Sequence, residues 1–125
     1  MSSAQLVQKA VALLEGKKAE DIVVLDIREL TSIGDFFVIA SANNTTLVKT
    51  LAEEVEDKFS QEGIEPRRVE GAKSAMWILM DYADVVIHIF YSEQRDFYCL
   101  ERLWADAPRI PVENGQCVIE GGSHS

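Results

Sequence analysis

The chain is poor in the residues that mark several functional classes. Its two cysteines, Cys99 and Cys117, are too far apart for a paired zinc or redox motif, so a reducing compartment is expected. No apolar run approaches the length of a membrane span, and no membrane contact is expected. Basic residues are also scarce: 12 Lys and Arg stand against 21 Asp and Glu, for a formal net charge of −9. They cluster only as the pairs Lys17-Lys18 and Arg67-Arg68. Phosphate backbones are held by clustered cations through counterion release, so nucleic acid is not expected as the main contact. An acidic domain suits a basic protein surface instead. There is no Gly-rich phosphate loop, no paired-cysteine site and no nucleophile elbow. Met1 leads almost directly into an amphipathic helix, without the basic and apolar stretches of a signal peptide, so a cytoplasmic protein is expected.

What is present suffices for one core. Apolar residues make up 47% of 125, enough for a single domain without disulfides. Ser2 and Gln5 form a capping-box pattern, and Leu6, Ala10, Leu13 and Leu14 recur at helical spacing up to a stop at Gly16. Residues 22–27 and 36–42 are apolar and β-branched, which predicts two buried strands. Asn44 can cap a helix in which Leu47, Leu51, Val55 and Phe59 repeat every four residues, ended by Gly63 and Pro66. Residues 67–70 read as a short strand near an edge. Residues 75–80 and 85–90 read as a hairpin, and a last helix is expected from Ser92 to about Trp104. The order is α-β-β-α-β-β-β-α, an α/β or α+β domain with one mixed sheet of about five strands and helices packed on it. That domain is expected to end at residue 107, with residues 108–125 an irregular tail.

The hairpin sorts side chains by face. With residues 81–84 as the loop, Met80 faces Val85 and Trp77 faces His88. Alternation then puts Met76, Ile78, Met80, Val85, Ile87 and Ile89 on a core face. Trp77, Leu79, Val86, His88 and Phe90 fall on the other, which is either a second packed layer under a helix or an amphipathic contact face. In the last helix Phe97, Leu100, Glu101 and Trp104 share one stripe, while Tyr98 and Arg102 fall on another. Residues 77–104 hold both tryptophans and all three tyrosines, side chains that join large apolar area to a polar tip.

No catalytic or metal site is expected. Asp26, Asp35, Asp81 and Asp84 lie near strand ends, but no Asp-x-Asp spacing joins them into a two-metal site. Asp81 and Asp84 are expected to shape the hairpin turn. His88 lies mid-strand among Val and Ile, with no second His or Cys at ligand spacing. No cofactor is expected.

The chain resembles the Iojap family, the ribosomal silencing factors also called RsfS or YbeB. The resemblance rests on Lys18-Ala19 with Asp21, Val23-Val24-Leu25-Asp26, Asp35-Phe36-Phe37-Val38-Ile39 and Glu70-Gly71. It continues through Trp77-Ile78-Leu79-Met80-Asp81, Asp84-Val85-Val86-Ile87-His88-Ile89-Phe90, Arg95-Asp96-Phe97-Tyr98 and Leu100-Glu101-Arg102-Leu103-Trp104. It covers roughly residues 4–107. Family members often carry Gly where Ala83 stands, so a turn that does not need a left-handed glycine there is expected. Phe36 replaces a frequent Tyr.

The resemblance implies a nucleotidyltransferase-like core without catalytic residues. It also implies binding to the large ribosomal subunit through its fourteenth protein. The bound factor would block joining of the small subunit and repress translation when nutrients are limiting. A homodimer is implied for the free protein. The contact residues carried over are Trp77, Leu79, Asp81, His88, Phe90, Tyr98 and Trp104. Two alternatives stand beside this function: a cryptic nucleotidyltransferase-like enzyme using Asp26, Asp35 or Asp81, and a self-associating interaction module.

Overall fold

The computed structural model describes residues 2–30 and 34–92, together with the strand pairs 109–110, 112–113 and 116–117. Helix α1 (Ser3–Gly16) begins at the expected capping box. The Gln5 amide donates to Ser2 Oγ, and the Ser2 amide donates back to Gln5 Oε1. Strands β1 (Glu20–Asp26) and β2 (Phe36–Ala42) follow and pair antiparallel. Helix α2 (Thr45–Ser60) is capped by Asn44, whose side chain accepts the Leu47 amide at 2.7 Å. Strands β3 (Arg68–Glu70), β4 (Trp77–Asp81) and β5 (Val85–Tyr91) complete the body of the sheet. With a short outer strand β6 (Arg109–Ile110) beside β1, the sheet order is β3-β4-β5-β2-β1-β6, with β2 and β5 parallel at its centre. No helix among the described residues is long and apolar enough to cross a membrane.

The two faces of the sheet carry different layers. One packs against α1 and α2, where Leu6, Val7, Val11, Leu14, Leu51, Val55 and Phe59 meet Val24, Val38, Ile78, Met80, Ile87 and Ile89. The α2 repeat every four residues supplies this layer, because such spacing keeps one stripe turned to the sheet. The opposite face gathers Leu25, Ile27, Phe37, Ile39, Val86 and Phe90, with Val23, Trp77 and Leu79 partly buried beside them.

The sorting of the β4–β5 hairpin onto two faces agrees with the alternation, but the register differs. Met80 pairs with Ile87, Leu79 with His88, and Trp77 with Phe90. Each partner is displaced by two residues, and an even displacement leaves every side chain on its own face. Asp81 stays in the strand and pairs with Val86, so the turn tightens around residues 82–84. Ala83 sits at φ +71°. The position is left-handed although no glycine fills it: the tight reversal demands positive φ, and alanine adopts it despite its Cβ. Met76 precedes β4 and is 38% exposed rather than in the core.

The segment expected to be irregular from residue 108 holds short strands. Strand β6 (Arg109–Ile110) pairs with β1, and β7 (Val112–Glu113) pairs with β8 (Gln116–Cys117). The last expected helix, with Tyr98 and Trp104, lies outside the described residues.

Candidate functional site

The face opposite α1 and α2 brings together five of the seven residues selected from sequence. Trp77, Leu79 and Asp81 alternate along β4, and His88 and Phe90 along β5, so the pleat turns all five the same way. They differ in exposure. Trp77 and Leu79 are partly exposed, whereas Asp81 is 6%, His88 4% and Phe90 0% exposed. Phe90 and His88 thus show almost no surface of their own. Their place is beneath the exposed pair.

The support is specific. The Trp77 indole stacks on Phe90, with ring centroids 5.1 Å apart and planes at 25°. Its Nε1–H donates to His88 Nδ1 at 3.1 Å. Because an indole nitrogen only donates, Nδ1 must be unprotonated and the ring proton sits on Nε2. That Nε2–H is buried without a hydrogen-bond partner among the described residues. Phe37 meets the imidazole edge-on, its centroid 4.8 Å away. Burial pushes the His88 pKa down to about 4, so the ring is neutral at pH 7. A neutral, buried imidazole hydrogen-bonded to an indole is unsuited to general-base work on a substrate.

Asp81 is a structural clamp. Burial pushes its pKa up, but the Ala83 amide and the Arg67 and Arg68 guanidinium groups outweigh this and hold it below the usual carboxylate range. The Ala83 amide donates to Oδ1 at 2.8 Å, and Arg67 Nη2 reaches both oxygens at 3.3 and 3.1 Å. Asp81 thus shapes the turn, as its residue type suggested, and ties the start of β3 to β4. Asp26 is likewise engaged by Arg28, whose Nε and Nη2 donate to its two oxygens at 2.9 and 2.6 Å. This pairing lowers the Asp26 pKa. Among the described residues no three of His, Cys, Asp and Glu converge as metal ligands would.

Three supporting residues escape a motif-based selection. Phe37 could have been found by alternation, since it shares a face with Ile39 and pairs with Val86 in β2–β5. Arg67 becomes visible only when the edge strand brings it to Asp81. Gly71 has φ +84°, and a Cβ there would overlap the Trp77 carbonyl oxygen. Only glycine lets the β3–β4 connection pass so close to Trp77.

The surroundings of the exposed pair are charged. Register places Arg68 beside Asp81 and Glu70 beside Leu79 on this same face, and Arg68 Nε lies 3.2 Å from Glu70. An aromatic and aliphatic shelf, rigid from below and rimmed by charges, is the form that a protein-contact patch takes.

A family model described as "Ribosomal silencing factor during starvation" matches residues 1–124. The match runs past residue 107, where the resemblance read from motifs stops. The chain is 41% identical over 113 residues to "Ribosomal silencing factor RsfS" of Halalkalibacterium halodurans, covering 90% of this chain and 97% of that protein. It is 36% identical to the protein of that name from Bacillus subtilis, covering 92% and 98%. A crystal structure of a Chromobacterium violaceum protein superposes with a TM-score of 0.78 at 35% identity, covering 83% of this chain and 88% of that one.

Proposed function

The chain belongs to the ribosomal silencing factor family, and from that premise we propose that it binds the large ribosomal subunit through its fourteenth protein. The bound domain would stand in the way of the small subunit and repress translation when nutrients are limiting. One observation carries the contact: Trp77 and Leu79 stand partly exposed over a buried layer of His88, Phe90 and Phe37. Aromatic anchors held rigid from below lose little conformational freedom on binding and supply most of an interface's affinity.

The charge balance supports the same partner class. A net charge of −9 favours encounter with a basic protein and disfavours direct grip on ribosomal RNA. Steric blocking requires no bond to be made or broken. It requires only affinity sufficient to compete with subunit association.

The test is sedimentation of the pure protein with isolated large and small subunits, followed by their reassociation. Co-migration with the large subunit alone, with fewer joined ribosomes, is the expected result. Absence of binding to either subunit would overturn the proposal. A magnesium-dependent thermal shift with nucleotides would favour the nucleotidyltransferase-like alternative instead.

A further inference from the structure

His88 stands at a costly place. It is 4% exposed among Phe37, Leu79 and Phe90, and its Nε2–H has no hydrogen-bond partner among the described residues. A phenyl ring would fill the same volume without burying an unsatisfied donor. What the imidazole adds is an acceptor at Nδ1, and that acceptor takes the Trp77 indole N–H at 3.1 Å.

The acceptor adds a direction to what packing provides. Stacking on Phe90 fixes the plane of the indole. A half-turn about the Cβ–Cγ bond would keep that plane but swing the six-membered ring to the opposite side and carry Nε1 away from Nδ1. The Nε1–H to Nδ1 bond selects one of the two orientations, and with it the edge of Trp77 that remains partly exposed. Phe37, edge-on to the imidazole, and Leu79, its cross-strand neighbour, hold the acceptor in place.

We propose that His88 is a positioning residue for partner binding, which touches no partner itself but fixes through Nδ1 the edge of Trp77 that the partner meets. This rests on the contact surface proposed above. It turns one of the residues selected from sequence as a contact into the support of another.

Two variants of the full chain separate positioning from space filling. His88→Asn places a side-chain oxygen near the position of Nδ1 and leaves a cavity. His88→Phe keeps the ring volume and loses the acceptor. Positioning predicts that His88→Asn binds the large subunit within about threefold of the wild type, while His88→Phe binds about tenfold more weakly. The Trp77 indole N–H resonance, identified by its loss in Trp77→Phe, is expected to stay near its original shift in His88→Asn and to move upfield in His88→Phe.

The reverse ranking, with Phe binding like the wild type and Asn weakened, would overturn the proposal. If His88→Asn does not fold, His88→Phe decides alone: unchanged binding overturns it, and a tenfold loss with a displaced resonance supports it. If the wild type itself does not bind the large subunit, the functional proposal has failed. The resonance then decides positioning: unchanged in His88→Phe, it rules out an orienting role.

Discussion

The two faces of this sheet are built for different ends. The face under α1 and α2 is mainly aliphatic, with Phe36 and the edge-on pair Phe59 and Tyr82 among its aromatics, and Val7, Val11, Val38, Val55, Ile87 and Ile89 there are 0% exposed. The other face is more aromatic, contains a neutral histidine, and leaves Trp77 and Leu79 partly exposed. An aliphatic layer needs only volume and contact. A layer that combines stacking with a directional hydrogen bond holds a particular ring in a particular pose. The first face stabilises the fold, and the second holds the ring that we propose the partner meets.

The sharpest break in this division is Gly71→Ala. A Cβ would strike the Trp77 carbonyl and force a positive φ on alanine. The expected cost is about 4 kcal/mol or more, through backbone displacement at the base of β4. Denaturant unfolding checks it, and a loss below about 1 kcal/mol would mean the connection adjusts freely. Next comes Ile87→Ala on the helix-covered face. It should destabilise by about 2–5 kcal/mol through cavity formation while leaving the affinity of the folded protein for its partner unchanged. A comparable loss of affinity would erase the distinction between the faces.

Acid separates His88 from the paired carboxylates by titration. The His88 pKa of about 4 lies below the unfolded value of about 6.5, so between these limits the unfolded chain binds the proton first. Stability is unaffected by His88 above pH 6.5 and falls by about 3 kcal/mol as the pH drops to 4. His88→Phe should flatten that stretch of the stability profile. Asp26 and Asp81, both held below the usual carboxylate pKa, act in a lower window. Their stabilisation is present above about pH 4 and is lost as the pH falls through their folded values. Equal acid sensitivity in His88→Phe and the wild type between pH 4 and 6.5 would contradict a buried neutral imidazole.

The smallest effect belongs to the turn between β4 and β5. Ala83→Gly should stabilise by about 0.5–1 kcal/mol, because glycine relieves the left-handed strain and gives back part in unfolded-state entropy. A destabilised variant would show that Ala83 is better suited to φ +71° than its Cβ suggests.

Much of this was legible in the sequence, and the reasons differ by element. Capping at Ser2 and Asn44, the apolar stripe of α2 and the two faces of the hairpin follow from local chemistry and period. The hairpin register was not legible, because a shift of two residues leaves the alternation unchanged. The left-handed Ala83 goes with that register, since a longer loop would not have required it. Burial divided the site in a way alternation cannot: Trp77 and Phe90 share a face, yet only Trp77 keeps exposed surface. The arginine partners of Asp81 and the seat that Gly71 makes for Trp77 arise only once β3 lies along β4. Strands β6, β7 and β8 are two residues each, too short for any periodicity to announce them.

The most direct test of the central claim compares Trp77→Ala with Ile87→Ala in binding to the large ribosomal subunit, each corrected for its folded fraction. The account predicts that Trp77→Ala weakens binding by about 2 kcal/mol, roughly thirtyfold, while the domain stays folded and Ile87→Ala retains wild-type affinity. Wild-type affinity in a folded Trp77→Ala would contradict it, and the presented surface would have to lie elsewhere on the molecule.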